Sequence, residues 1–162
     1  MRLLHESVYC AFMYEATTTK KEPVFDYHLS ATIAENIHAV PKACWINSFK
    51  AIQTQEQLEK AWYVEGWAVP LNHPMPIEHG WIETEAGIII DPTFAAIQDE
   101  DNPDNYYRYF TGVRYTKAQL QGVDGEKLPH VWTFGGWGGY QYPPYRNAYE
   151  QAISFANEKH NA

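Results

Sequence analysis

Residues 77–91, IEHGWIETEAGIIID, have the pattern of a β-hairpin. Two arms rich in β-branched and aromatic residues flank a turn at 85–87, whose glycine can adopt the left-handed conformation that tight turns need. When the residues on either side of this turn pair with each other, His79 and Asp91 become diagonal neighbours on one face of the sheet. A shift of one residue would place them on opposite faces. The hairpin therefore predicts that the side chains of His79 and Asp91 meet.

Helices are predicted on both sides of the hairpin from apolar residues at helical spacing. Ser30 is the expected N-cap of the first helix, which Pro41 ends, and Thr54 is the expected cap of the third. The predicted helices cover 30–40, a segment beginning near 43, 54–60, 116–121 and 147–159.

Further strands are predicted at 62–69 and 106–115, where aromatic and β-branched residues are frequent. Glu65 and Glu83, in the predicted strands, could face a substrate cleft, but exposure is expected because strand glutamates are more often exposed. The order of helices, antiparallel sheet and closing helix is typical of the α+β class. The length of 162 residues suits a single domain over 1–162. Loops are expected at 16–24, 99–105 and 135–144.

The composition excludes several classes of protein. Aromatic residues make up 15% of the chain, which indicates a folded core. Twelve basic and twenty acidic residues give a net charge of −8, which argues against a nucleic-acid partner and a basic membrane-binding surface. No stretch approaches the ~20 apolar residues of a membrane helix, and the polar residues 1–6 do not resemble a signal peptide. A cytoplasmic protein is expected, and its oligomeric state is left open.

The two cysteines, Cys10 and Cys44, form neither a disulfide framework nor a closely spaced metal-binding pair. Cys44 falls at the first turn of the predicted second helix, where unpaired N–H groups and the helix dipole favour a thiolate and an oxyanion. A cysteine nucleophile needs a general base, and the base needs an orienting group. His79 and Asp91 are candidates for these roles. Taken singly, each residue also has a structural interpretation: a core thiol, a strand histidine and a turn aspartate.

Several short motifs resemble the catalytic core of transglutaminase-like cysteine enzymes, within the wider papain-like fold. Cys44-Trp45 at a helix start resembles the nucleophile motif, and residues 63–66 (YVEG) resemble the strand that follows it. His79-Gly80-Trp81 is similar to the His-Ala-Trp strand of the family, and residues 90–93 (IDPT) to its Val-Asp-Pro-Thr strand end. The resemblance covers residues 44–94, about a third of the chain. It rests on the motifs as a set, and no single motif would suffice. Residues 109–115 resemble small, stand-alone bacterial and phage members.

This resemblance implies a reaction at an amide without a cofactor. Cys44 would attack the carbonyl carbon, His79 would carry the proton from the thiol to the leaving amine, and Asp91 would orient the imidazole. The thioester intermediate would pass to water, as in a peptidase or deamidase, or to an amine, as in a transglutaminase. The substrate would be a protein, a peptide or a small amide. The resemblance does not choose among these, and it leaves the oxyanion-hole side chain unassigned. Candidates for substrate and oxyanion contacts are Asn47, Trp45, Trp62, Tyr63, Trp81 and Trp137.

Two other classes of function stay open. The same fold could serve as a binding or inhibitory module without turnover, for example in a phage-encoded or host-interaction protein. Its binding elements would be the acidic surface and the glycine-aromatic loop at 135–144, which is either a mobile flap or a turn that packs Trp137 on the core. A metal-dependent hydrolase using His73, His79 and Asp91 is the other alternative, although the chain has no paired cysteines and no His-Glu-x-x-His helix.

Overall fold

A five-stranded mixed sheet lies at the centre of the computed structural model, which describes residues 23–97, 106–134 and 141–160. The strand order is β1-β4-β3-β2-β5, and the class is α+β, as predicted. β1 pairs with β4 in parallel, and the other pairs are antiparallel. The strands are β1 (Val24–Phe25), β2 (Trp62–Pro70), β3 (Ile77–Glu83), β4 (Ile88–Ile90) and β5 (Tyr107–Thr116).

The register of the β3–β4 hairpin is the predicted one. Ile82 pairs with Ile90, and Glu83 pairs with Ile89. The backbone N–H of Thr84 donates to the carbonyl of Ile88 at 3.0 Å. The turn glycine has a φ of 75°, a conformation that side chains with a Cβ rarely adopt. A tight turn with one permitted conformation fixes the pairing on both sides of it.

The expectation of a wholly antiparallel sheet was wrong at one edge. β1 begins at the last residue of the stretch that was expected to be a loop, and it adds to the sheet beside β4 in parallel. Two residues are too few to show the alternation by which strands are predicted.

Five helices accompany the sheet in the described part of the chain. Their bounds are α1 (Tyr27–Ile37), α2 (Cys44–Thr54), α3 (Pro92–Ala95), α4 (His130–Phe134) and α5 (Pro143–His160). Short 3₁₀ turns lie at Glu56–Leu58, Ala118–Leu120 and Gly125–Lys127.

Helix α1 begins earlier than predicted because its cap is a different residue. The Asp26 side chain accepts a hydrogen bond from the N–H of Leu29 at 2.9 Å. Ser30 instead lies inside the helix, where its hydroxyl donates to the carbonyl of Asp26. The helix ends at Ile37 because His38 adopts the left-handed conformation.

The predicted caps and bounds of three other helices also change. The hydroxyl of Thr54 donates to the carbonyl of Lys50 at the end of α2, so it does not cap a following helix. The predicted helices over 54–60 and 116–121 are therefore only 3₁₀ turns. Helix α5 starts four residues before the predicted 147, because a proline at the first helical position loses no hydrogen bond.

The helices α1, α2 and α5 cover one face of the sheet. Ile82 and Ile90 on this face pack with Ile33, Ile37 and Ala51 of α1 and α2. The inner side of α5 packs on the neighbouring strands through Tyr145, Ala148, Ala152 and Ala156, with Trp67, Val69 and Val113. The opposite face carries Val64, Ala68, Trp81, Ile89, Phe94 and Tyr109. None of the helices among the described residues is long and apolar enough to span a membrane.

Several predictions fall outside the described residues. These are the ambiguous segment 6–15 with Cys10, most of the loop at 16–24, the acidic loop 99–105 and the glycine-aromatic stretch at 135–140 with Trp137.

Candidate active site

Cys44 is the first residue of α2, at a helix start that carries no side-chain cap. Its N-cap is Ala43, which makes no capping hydrogen bond, whereas Asp26 and Asp91 cap α1 and α3. The first N–H groups of an α-helix have no partner within the helix. The amides around Cys44 are therefore oriented to stabilise negative charge at the sulfur or at an oxygen bound beside it.

The start of α2 is held close to β3 by a glycine. A Cβ built on Gly80 would lie 2.6 Å from Cδ1 and 3.2 Å from Cα of Trp45, so no other residue fits there without displacing α2. One turn further on, the buried hydroxyl of Ser48 donates to the carbonyl of Gly80 at 2.9 Å. These contacts join Gly80, the neighbour of His79, to the helix that begins at Cys44.

His79 lies on the sheet face opposite to Gly80 and contacts Asp91. Its Nε2 is 2.5 Å from Oδ2 of Asp91, and only 2% of His79 and none of Asp91 is exposed. The imidazole stacks on Phe94 with ring centroids 4.0 Å apart and planes 5° apart. Trp81 stacks along the same strand at 6.2 Å. The ring of His79 is thus fixed by one hydrogen bond and two aromatic contacts, of which the hairpin register predicts the hydrogen bond to Asp91.

Asp91 accepts hydrogen bonds on both of its carboxylate oxygens. The backbone N–H groups of Thr93 and Phe94 donate to Oδ1, each at 3.0 Å, so this oxygen caps α3. The Oδ2 atom accepts from His79 and, at 3.0 Å, from the hydroxyl of Tyr109 on β5. Four donors therefore hold a fully buried carboxylate in one orientation.

Cys44 lies close enough to His79 to raise the pKa of the imidazole. Because Nε2 faces Asp91, the second ring nitrogen, Nδ1, is the atom left for the sulfur. Burial alone would lower the pKa of His79, but the charge and hydrogen bond of Asp91 and the contact with Cys44 raise it to about 10. A histidine with this pKa holds its proton at neutral pH. The imidazole is thus hydrogen-bonded to the carboxylate of Asp91 and close to Cys44.

The other residues predicted to contact the substrate or the oxyanion are engaged in contacts within the protein or are buried, except Trp137, which lies outside the described residues. Both N–H groups of the Asn47 amide are engaged, one with the carbonyl of Val40 at 2.8 Å and one with the hydroxyl of Thr93 at 2.9 Å, so none is left for an oxyanion. The indole N–H groups of Trp45 and Trp81 are buried and have no hydrogen-bond acceptor among the described residues.

Trp62 and Tyr63 lie on opposite faces of β2. The guanidinium of Arg114 stands over the Trp62 ring at 5.8 Å, on the face away from α2. Tyr63 is buried on the α2 side, and its hydroxyl donates to Oε1 of Glu65 at 2.8 Å.

The expectation that Glu65 and Glu83 are exposed was wrong. Glu65 is fully buried, and the N–H groups of His130 and Val131 donate to it at the start of α4. Burial raises the pKa of Glu65 against the effect of these hydrogen bonds. Glu83 forms a bidentate ion pair with Arg114, with the closest N–O distance at 2.7 Å. Glutamates with these partners can be buried in a sheet.

Tyr109 is a site residue that the sequence interpretation did not identify. It is the fourth donor to Asp91, but it lies on β5, two strands away from β3. The only signal was its position in an aromatic strand, and many aromatic residues share that signal.

The three residues of the metal-site alternative do not come together. His73 is exposed in the loop before β3, and its Nδ1 accepts a hydrogen bond from the N–H of Met75 at 3.3 Å. Within the ranges that the structure describes, no group of three His, Cys, Asp or Glu side chains is placed to hold a metal ion.

No family model matches the chain, and the searches of curated proteins and of solved structures found no significant match.

Proposed function

We propose that this chain is a thiol enzyme with a papain-like, transglutaminase-like core, which transfers the acyl group of an amide through a thioester. The observation that carries the proposal is the hydrogen-bonded pair of His79 and Asp91, with Cys44 close enough to the imidazole to raise its pKa. Its supports are the uncapped start of α2 at the sulfur and the burial of the imidazole between aromatic rings. The amide belongs to a protein, a peptide or a small molecule.

The proposed reaction has two halves. The sulfur of Cys44 attacks the carbonyl carbon, and His79 holds the proton that leaves the thiol. The tetrahedral oxyanion is stabilised by the N–H groups at the start of α2. When the C–N bond breaks, His79 gives its proton to the departing amine and a thioester remains. Water or a second amine then attacks the thioester, which releases an acid or a new amide and restores the thiol.

Mass spectrometry of reaction products tests this proposal. The protein is incubated with glutamine-containing peptides and a primary amine, with Cys44→Ala as the control. Cleaved peptides would identify a peptidase, deamidated glutamine a deamidase and incorporated amine a transglutaminase. Each product should vanish in Cys44→Ala. If the wild type forms no product and no adduct on Cys44, the enzymatic proposal is wrong.

The low exposure of the sulfur favours a second candidate function. Only 8% of Cys44 is exposed, and a substrate carbonyl must reach that atom. With this access blocked, the fold would serve as a binding or inhibitory module without turnover. An absence of products together with an unreactive thiol would favour this second function.

A further inference from the structure

Glu78 lies on the sheet face that α2 and α5 cover, two residues before Gly80, where the start of α2 meets β3. It precedes His79 in β3, so its side chain points to the opposite face, the one on which Trp45 packs over Gly80. Cys44 directly precedes Trp45, so the start of α2 lies over this face. Glu78 and Cys44 therefore approach the same part of β3.

Tyr145 at the start of α5 interacts with both groups. Its hydroxyl donates to Oε1 of Glu78 at 3.1 Å. Burial raises the pKa of Tyr145, and the charges of Glu78 and Cys44 both raise it further. Both groups are thus near enough to this one side chain to act on it electrostatically.

The hydrogen bonding of Glu78 is incomplete. The carboxylate is half-buried, and Tyr145 is its single hydrogen-bond donor in the described parts of the chain. None of the ion pairs among those residues includes Glu78, whereas Glu83, five residues further on, is paired with Arg114. Half-burial of a carboxylate without a cation costs free energy, which a positively charged ligand would offset.

We infer that Glu78 is a specificity-determining residue that binds a positively charged group, an ammonium or a guanidinium, carried by the substrate near the amide that Cys44 attacks. This inference rests on the proposed function. The cation would pair with Glu78 beside the hydroxyl of Tyr145, and the reacting carbonyl would lie at the start of α2. Neutral and acidic amides of the same size would be poorer substrates.

Charged thiol reagents test the inference without a known substrate. Cys44 is modified with 2-(trimethylammonio)ethyl and with 2-sulfonatoethyl methanethiosulfonate, in a Cys10→Ser background so that it is the only thiol. The rate with the cationic reagent is divided by the rate with the anionic reagent, and this ratio is divided by the same ratio for a small free thiol, which corrects for the intrinsic reactivity of the reagents. The corrected ratio reports the electrostatic potential at the sulfur. We expect the cationic reagent to be favoured, and Glu78→Gln to lower this preference about fivefold, a typical effect of one nearby charge.

Two further variants separate the effect of Glu78 from net charge and from the fold. Glu85→Gln changes the net charge equally at the exposed turn of the hairpin, and it should change the ratio less than twofold. Tyr145→Phe removes the hydrogen bond to Glu78 but keeps the carboxylate, so the preference should remain. If Glu78→Gln does not fold, the preference in the wild type must still fall as salt is added.

The possible results distinguish this inference from the proposed function. Equal ratios in the wild type and in Glu78→Gln, or equal effects of Glu78→Gln and Glu85→Gln, would overturn the inference even when Cys44 is activated. A Glu78-dependent preference at an ordinary, unactivated thiol would support cation binding and contradict the thiol enzyme.

Discussion

Asp91 is the residue on which the site depends most. Its two oxygens join the hairpin, the start of α3 and β5, because their donors come from His79, from two backbone amides and from Tyr109. Ser30 adds a further link, since its hydroxyl accepts from the N–H of Asp91 at 3.0 Å. Orientation of the imidazole and stability of the fold therefore rest on the same side chain.

Asp91→Ala should lower the free energy of unfolding by roughly 3–5 kcal/mol, because it leaves buried donors and a buried imidazole without their acceptor. Urea unfolding followed by tryptophan fluorescence measures the change. Tyr109→Phe is the matched control: it removes one of the four donors and should cost about 1 kcal/mol. A loss below 1 kcal/mol in Asp91→Ala would contradict the role given to the carboxylate.

At the scale of elements, the contact between α2 and β3 sets the geometry of the site. Gly80 allows Trp45 to lie directly on the strand, and Ser48 fixes the next turn of the helix. Protein interiors are close-packed, so a side chain added at this contact must move one of the two elements.

Gly80→Ala should destabilise the protein by about 1–3 kcal/mol and slow the alkylation of Cys44 at pH 6, because the new methyl group moves the sulfur away from His79. Thermal melts and iodoacetamide labelling measure the two effects. Gly125→Ala serves as the control, since a Cβ there meets the Phe49 ring at an ordinary 3.6 Å. Unchanged labelling in Gly80→Ala would show that the close contact does not position Cys44.

Glu65 joins α4 to the sheet, because its carboxylate accepts hydrogen bonds from two N–H groups at the start of that helix. Glu65→Gln should lower the free energy of unfolding by about 2 kcal/mol, because the amide group turns a donor toward the N–H of His130 or Val131. Chemical unfolding measures this loss. Glu85→Gln, at an exposed turn, should have no measurable effect. Equal stabilities of the two variants would contradict the role of Glu65.

The sequence predicts those elements whose signals are local. The turn glycine sets the register of the hairpin, and the register brings His79 to Asp91. The start of α2 at Cys44 follows from the apolar spacing after Pro41. The N-cap of α1 was assigned to Ser30 instead of Asp26 because both residues are good N-caps. Only the packed structure shows that the hydroxyl of Ser30 accepts a hydrogen bond from the N–H of Asp91.

Contacts between distant strands could not be predicted. Tyr109 reaches Asp91 across the sheet, and Glu65 meets α4 more than sixty residues later in the chain. Neither pairing leaves a periodic pattern, and an isolated glutamate in a strand is usually exposed. Two-residue β1 and four-residue α3 are also too short for such a pattern.

At the scale of the whole molecule, the ion pair of His79 and Asp91 couples stability to pH. The pKa of His79 is about 10 in the folded chain, above the ordinary value of 6.5. The folded state therefore binds this proton more tightly than the unfolded state does. The resulting stabilisation is fully present below pH 6.5 and is lost as the pH rises through 10.

Stability measured against pH should show this loss. Between pH 6.5 and 10 the free energy of unfolding of the wild type should fall relative to that of His79→Gln, which does not titrate. Urea titrations at several pH values measure the difference. A difference that stays constant across this range would contradict a raised pKa for His79.

The alkylation rate of Cys44 by iodoacetamide, measured against pH in a Cys10→Ser background, tests the central claim most directly. With the proposed pairing, the wild type should react rapidly well below the ordinary cysteine pKa of about 8.5, and His79→Ala should lose that low-pH reactivity. If Cys44 reacts as an ordinary thiol, or not at all, whether or not His79 is present, Cys44 is not an activated nucleophile and the binding module becomes the better account.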